Sequence, residues 1–555
     1  MTEVDGTESL LLEVLGVSFL AYVLNAAETE VIERFSTGKA LNDQQEEAVK
    51  RLLQFMSTTG ISLDNSSPMW HLNLDVFASQ ATGHTTSCAN VLRAIAGGVV
   101  TVPKSSDKVL EILNQLAAEF YALFLIPKDK KRPDPFQPTI SAVAFRHPRQ
   151  DELLKLILAD EALVKLFGSE DLKKPAIEVM GYVQRSSGQG GSVQLVTLPE
   201  IILRNAWHLA SLGTIQPDLA QFCLAIKQIV NTLRASADGK KASVPVRVAF
   251  TGVILPNSKQ RIVLPWGVLR SATQEDENLI PTAFEDNMNS TTTAKGEHIT
   301  VKYSGDVILE TDMPYRTFVA DWAKVSKSSS FVKIPDGFND YAVVQKHIEA
   351  IEIGLLFATQ RENERPRVVS PWRANVDPLG FGHSVSWRNP QTLPMLLPAK
   401  LTKVEADNWE KWIGLVDSLR VPSVEVAITR LLLAETERKD PVDVLIDAVI
   451  AWENLVGSSS GEPTLRVSAA LAWLLAKDPT ERAELQNKFA KLYNLRSRIV
   501  HGSGILTVTE ATTKPQEAVK IALDALREIF ENRPELLKEC KDSTERSKRL
   551  ILGIT

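Results

Sequence analysis

The segment "LYNLRSRIVHGSG", residues 492–504, sets an arginine and a histidine five residues apart at the end of an apolar-periodic stretch. Both side chains suit phosphate chemistry. A guanidinium binds a phosphate through two parallel N–H donors and stabilises negative charge that builds on it. An imidazole titrates near neutral pH and can give or take a proton there. On a wheel of about 100° per residue, Leu485, Phe489, Leu492, Leu495 and Ile499 form one stripe, and Arg496 falls inside it. Because an uncompensated buried charge costs several kcal/mol, Arg496 is expected at a cleft or beside an acid.

A plausible acid lies upstream. The stretch "PVDVLIDAVIAWENLVG" (441–457) is apolar nearly all round through Leu445, Ile446, Val449, Ile450, Trp452, Leu455 and Val456, with Glu453 intruding. Glu453 either meets Arg496 or sits at an exposed edge. His501 is harder to place, since five residues of straight helix turn it about 140° away from Arg496. Gly502 offers one solution by letting the chain turn there, a two-fold dimer offers another, and a third reading makes His501 a cap on the negative end of the helix. Arg498 lies three residues before His501, on its face. No acid occurs between Glu484 and Glu510, so Lys488, Lys491, Arg496 and Arg498 form either a solvated basic face or a phosphate-seeking patch.

The frame around these residues is large. At 555 residues the chain exceeds the roughly 250–300 that one core supports, which predicts two to four domains. A composition of 44% hydrophobic and 23% charged residues with net charge −6 excludes a disordered chain and gives no global basic footprint, so any nucleic-acid contact must be local. Cys88, Cys223 and Cys540 have no paired spacing, which argues against a disulfide framework or a cysteine-rich zinc site and favours a reducing compartment. The start, "MTEVDGTES", lacks a basic n-region, and "LLLEVLGVSFLAYVL" (10–24) contains Glu13 and falls short of the ~20 residues that span a bilayer. The expectation is a buried helix in a cytoplasmic protein without a membrane partner.

Along the chain the period changes. Residues 1–135 read as a helical N-terminal region ending in the exposed connector "PKDKKRPDPFQP" (127–138), and 136–244 as a second helical region. Within the latter, "SSGQGGS" (186–192) lacks the Gly-Lys-Ser/Thr of a phosphate loop and reads as a flexible linker. Residues 245–402 carry short β-rich runs such as "PVRVAFTGVIL", interrupted by the helical "DYAVVQKHIEAIEIGLLFAT", and predict a β-rich α+β middle domain. His347 and Glu349 do not make His-Glu-x-x-His, the other histidines away from His501 stand singly, and no metal or cofactor is called for. Residues 403–555 read as an all-α bundle, with Pro463 and Pro479 at first-turn positions, Gly457 and Gly502 at stops, and a sixth helix from Pro515. The fold class is thus multidomain α+β.

Three segments of that bundle, "LIDAVIAWENLVG", "LRVSAALAWLLA" and "LYNLRSRIVHG", in this order and spacing, resemble the HEPN superfamily and most closely its Apea-like branch. Arg496-x4-His501 fits the superfamily's Arg-x4–6-His signature, and the resemblance covers about residues 405–540. It implies metal-independent RNA cleavage by a homodimeric domain, in prokaryotic antiviral defence, abortive infection or toxin systems. Position by position, it makes Arg496 and His501 the catalytic pair, Ser497 the polar residue after the arginine and Glu453 the acid of the upstream helix. Some such toxins carry a tyrosine two residues after the histidine, which a partner nucleotidyltransferase modifies; Ser503 stands there, which argues against that pairing. Residues 1–400 are then expected to sense a phage or host trigger. The competing expectation is a non-catalytic HEPN module that binds RNA or a partner protein.

Overall fold

The computed structural model of the chain describes residues 6–59, 75–79, 85–127, 147–168, 171–214, 216–280, 289–292, 298–301, 303–320, 336–359, 361, 365–380, 383–458 and 462–554. The chain is mixed α+β: helices lead, sheets occupy the middle and a helical region follows. Most of the connector 127–138 lies outside the described residues.

Helices from both sides of that connector close one apolar core. Leu15 and Phe19 of helix Gly6–Val23, Phe120 of Lys108–Phe124, Leu154 of Gln150–Ala159 and Phe222 of Leu219–Ala237 all belong to it. The stretch 10–24 is helical to Val23 apart from a kink at Gly16, and Leu11, Val14, Leu15, Phe19, Leu20, Val23 and Leu24 are buried, as its composition predicts. Among the described residues, no helix is long and apolar enough to cross a membrane.

The stretch 186–192 is no linker. It closes an antiparallel hairpin between strands Met180–Arg185 and Gly190–Gln194, and strand Thr317–Ala320 pairs on the other side. The serines fix it: the Ser187 hydroxyl donates to buried Asp377 (3.0 Å), which also accepts from the Tyr315 hydroxyl (2.7 Å), while Ser186 Oγ accepts from the Arg316 N–H (2.9 Å). Composition alone could not separate a glycine-serine turn from a glycine-serine linker, because the deciding partner lies 190 residues away.

The main sheet has six strands, all antiparallel to their neighbours, in the order His383–Trp387, Trp372–Val376, Ala242–Phe250, Val307–Tyr315, Gly267–Ser271, Arg261–Leu264. Val244, Val246, Val248 and Phe250 alternate onto one buried face. Helix Tyr341–Ala358 packs there, and behind it lies helix Lys403–Leu419, whose Trp409 Nε1–H donates to the Ile351 carbonyl (2.9 Å). At Gly354 a Cβ would meet Ile413 at 3.0 Å, so the missing side chain lets these two helices approach closely. Apolar packing continues without a break from the sheet into the C-terminal helices.

Helix Pro441–Val456 is the centre of that bundle. Helices Glu425–Thr436, Pro463–Leu475, Pro479–Val500, Val508–Glu531 and Ser543–Ile551 pack around it, and its Trp452 is fully buried with Nε1–H bonded to the Ala518 carbonyl (3.1 Å). The sixth helix starts at Val508, seven residues before Pro515, where its start was predicted. Thr507 and Glu510 form a reciprocal cap, and Pro515 lies inside the helix, where it removes one backbone donor and crowds the carbonyl one turn earlier.

Fully buried Arg546 ties the last helix to the centre. Its guanidinium donates to the carbonyls of Leu455 (2.7 Å), Asn454 (2.9 Å) and Ser423 (3.2 Å) and to Ser423 Oγ (2.9 Å). Arg546→Ala leaves those acceptors dry and is expected to cost about 3 kcal/mol, read as a lower urea midpoint at unchanged m-value; a loss below ~1 kcal/mol would show that water reaches them.

Candidate functional site

Helix Pro479–Val500 opens with Asp478, whose carboxylate accepts the Glu481 N–H (2.9 Å). Its stripe behaves as its spacing predicts: Phe489, Leu492 and Leu495 are buried, and Leu485 and Ile499 pack at the margin. The helix ends in a Schellman motif. Ser503 N–H donates to the Arg498 carbonyl (2.9 Å) and Gly502 N–H to the Ile499 carbonyl (3.0 Å), with Gly502 left-handed at φ 72°. The reversal therefore falls one residue beyond His501, which keeps a near-helical backbone (φ −85°, ψ 8°) and is exposed. Gly502 stops the helix without swinging His501 toward Arg496, and the splay of about 140° remains.

Arg496 and Glu453 do meet. Arg496 Nη2 lies 3.7 Å from Glu453 Oε2, an ion pair longer than a hydrogen bond, with the arginine side chain 20% and the glutamate 33% exposed. Tyr493 completes the group by donating its hydroxyl to Glu453 Oε1 at 2.6 Å. Burial, and then this bond to the carboxylate, push the phenol up to about 12, while Arg496 opposes the shift. Tyr493 thus stays a donor. Glu453 is held by the tyrosine and in turn holds the arginine at the rim, while Arg496 Nε is buried and has no hydrogen-bond partner among the described residues. With its side chain 20% exposed and Nη2 beyond hydrogen-bond distance of Glu453, the guanidinium keeps terminal N–H donors for an incoming anion.

Sequence reasoning missed Tyr493, although its signal was present three residues before Arg496, on the same helix face. It also overlooked a second acid of the central helix. Asp447 is more buried than Glu453 and is clamped by Arg430 Nη1 (2.8 Å) and Arg438 Nε (2.7 Å), so it serves the fold.

The basic face divides. Lys488 is paired with Glu517 (2.9 Å), which Lys514 also contacts (2.9 Å); this corrects the acid-free reading, since the acid comes from the neighbouring helix Val508–Glu531. Arg498 lies near Glu510, whose carboxyl is held low first by its capping bonds to Thr507 and further by Arg498. Lys491 and Arg498 are exposed. Ser497 is half-buried, and its carbonyl accepts the His501 N–H (3.1 Å). Around the helix end, Val500, Ile505 and Val508 are all exposed, Ile505 by 92%.

No protein-family model, curated protein or solved structure matches the chain.

The cluster's chemistry thus follows from its own residues: a loosely paired guanidinium, a carboxylate that orients it, a phenol that fixes the carboxylate and an exposed imidazole one helical turn further on. Tyr493→Phe is expected to lower stability by about 1.5–3 kcal/mol, the range for a hydrogen bond to a charged group, in chemical denaturation. An unchanged midpoint would mean that solvent replaces the phenol and that Glu453 is not held by it.

Proposed function

We propose that the chain is a metal-independent endoribonuclease of the HEPN type. The observation that favours this reading most is the Glu453–Tyr493–Arg496 cluster. It places an incompletely satisfied guanidinium at the rim of the bundle, on the helix that ends in His501. RNA supplies the nucleophile. The 2′-hydroxyl loses its proton to a base, its oxygen attacks the adjacent phosphorus, and the bond to the 5′-oxygen breaks as that oxygen takes up a proton. His501 is suited to moving these protons and Arg496 to stabilising the charge that gathers on the phosphoryl oxygens. Lys491 and Arg498 are the exposed cations positioned to seat the flanking backbone, Ser497 supports the helix end, and Lys488 is occupied by Glu517.

The proposal includes a homodimer through the C-terminal bundle. One protomer keeps Arg496 and His501 splayed, and the exposed Val500, Ile505 and Val508 offer an apolar rim that a second copy would cover. It also places the protein in the cytoplasm, where its buried free cysteines would remain thiols. In that setting it acts as a regulated effector of prokaryotic antiviral defence, with residues 1–400 restraining cleavage until a phage or host trigger arrives. The splay itself favours the second reading, a non-catalytic HEPN module that binds RNA or a partner protein.

Purified protein is expected to cut RNA in excess EDTA and to leave 2′,3′-cyclic phosphate or 3′-phosphate ends; loss with chelator and rescue by Mg²⁺ would count against the mechanism. His501→Ala is expected to slow turnover roughly 10²–10⁴-fold and Arg496→Ala on the order of 10²–10³-fold, both with unchanged circular dichroism. RNA binding without cleavage by the wild type and both variants would favour the scaffold. Light scattering is expected to show a dimer at concentrations where RNA is cut, and a monomer there would remove the shared cleft.

A further inference from the structure

A cavity of about 320 Å³ opens where the edge of the main sheet, helix Tyr341–Ala358 and helix Glu425–Thr436 meet. It is far from the Arg496 cluster in sequence and shares no lining residue with it. Nearly every charge on its wall is already answered. Glu349 pairs with Arg420, and Arg388 pairs with Glu437 (2.9 Å). Arg373 bonds Ser386 Oγ (2.8 Å) and lies over the Tyr341 ring at 4.2 Å. Glu352 is the exception. Among the described residues it has no cationic partner at ion-pair distance; its Oε1 accepts only the Ser370 N–H, at 3.3 Å. Beside it on the wall stands Trp387, 52% exposed on the edge strand.

A carboxyl without a cation at contact on a half-buried wall is costly to ionise until a counter-charge arrives, and an exposed indole on the same wall presents an electron-rich face. We propose that this cavity binds an organic cation, an ammonium or guanidinium group borne by a small molecule or by a lysine or arginine side chain, with Glu352 as its counter-charge and Trp387 as its aromatic wall. The volume lies at the lower end of the range for small-molecule pockets. An anion is disfavoured because the two wall arginines are engaged and the spare group is a carboxyl.

The protonation state of Glu352 gives the proposal a signature. Burial pushes its carboxyl up to about 8; Arg388 and the Ser370 N–H pull it back, and Glu349 and Glu437 add to the rise. The empty cavity therefore holds a neutral carboxyl at pH 7, and a cation that binds the carboxylate must release its proton. Affinity then rises roughly tenfold per pH unit from pH 6 to 7 and levels off above 8.

Calorimetry on the full chain tests this with agmatine and with the pentapeptide Gly-Gly-Arg-Gly-Gly, each in two buffers of different ionisation heat. Saturable binding with release of close to one proton at pH 7 is expected. Glu352→Gln should weaken it at least tenfold and abolish the release, and Trp387→Ala should weaken it while keeping the release. Preference for agmatine would assign the site to a small molecule, and preference for the peptide to a protein side chain. Absence of binding by both probes at millimolar concentration, binding without proton release, or displacement by inorganic phosphate would each overturn the proposal. Glu352→Gln should fold: a carboxyl raised from its unfolded value gives stability that is lost as pH rises through about 8, so the variant should melt no lower than the wild type at pH 8. Since the readout is binding alone, failure here leaves the RNA-cleavage proposal untouched.

Discussion

Helix Pro441–Val456 has almost no face that tolerates water. Val444, Leu445, Ala448, Val449, Ala451, Trp452, Leu455 and Val456 are all buried, so neighbours must cover it on every side. That demand sets the bundle around it, and it sets where polarity can survive. Asp447 is kept by two arginines at the wall, and Glu453 reaches the margin in the last turn, where Tyr493 and Arg496 of a neighbouring helix meet it. The position of the candidate site is thus a by-product of how the central helix is buried: a carboxylate near its end must find partners, and those partners become fixed.

The same apolar packing joins the bundle to the sheet. Trp409 bonds to the backbone of helix Tyr341–Ala358, and Arg527 of helix Val508–Glu531 donates to the Leu356 carbonyl (2.9 Å) at that helix's end. Arg365, just before the sheet resumes, pairs with Glu435 of the bundle. Helix Tyr341–Ala358 packs on the sheet on one side and on the bundle on the other, so the two share one close-packed interior. Residues before 403 therefore have a physical route to the C-terminal helices.

How much of this the sequence disclosed depends on whether the deciding partner was local. The helix starts at Pro463 and Pro479, the stop at Gly502 and the stripe from Leu485 to Ile499 were legible because caps and periods act within a few residues. The Glu453–Arg496 contact was legible as one of two alternatives, since an apolar helix with one late acid and a stripe with one arginine each need the other. What failed to show was set by distant neighbours. Glu517 silences Lys488 across a helix boundary, Asp377 turns a glycine-serine run into a hairpin, and Thr507 starts a helix ahead of Pro515, which looks like a first residue but is tolerated within. Tyr493 lies outside the stripe from Leu485 to Ile499, and only the placement of its hydroxyl against Glu453 shows its part.

Two arginines of the bundle show what separates a structural cation from an available one. Arg546 is fully buried with no acid at ion-pair distance among the described residues, yet four hydrogen bonds to backbone and Ser423 occupy its guanidinium, so an incoming anion would have to break the fold to reach it. Arg496 has an unbonded Nε, but that alone decides nothing, since among the described residues Arg204, Arg247, Arg482 and Arg527 share it. Arg204, Arg247 and Arg527 sit nearer their acids, at 2.8 Å from Glu200, 3.2 Å from Glu310 and 3.4 Å from Asp524, and Arg482 lies over the Trp473 ring at 3.4 Å. The acid of Arg496 lies at 3.7 Å, is a third exposed and is already bonded to a phenol. A guanidinium held at that distance is oriented without being neutralised at contact, and within five residues the same helix ends on an exposed imidazole.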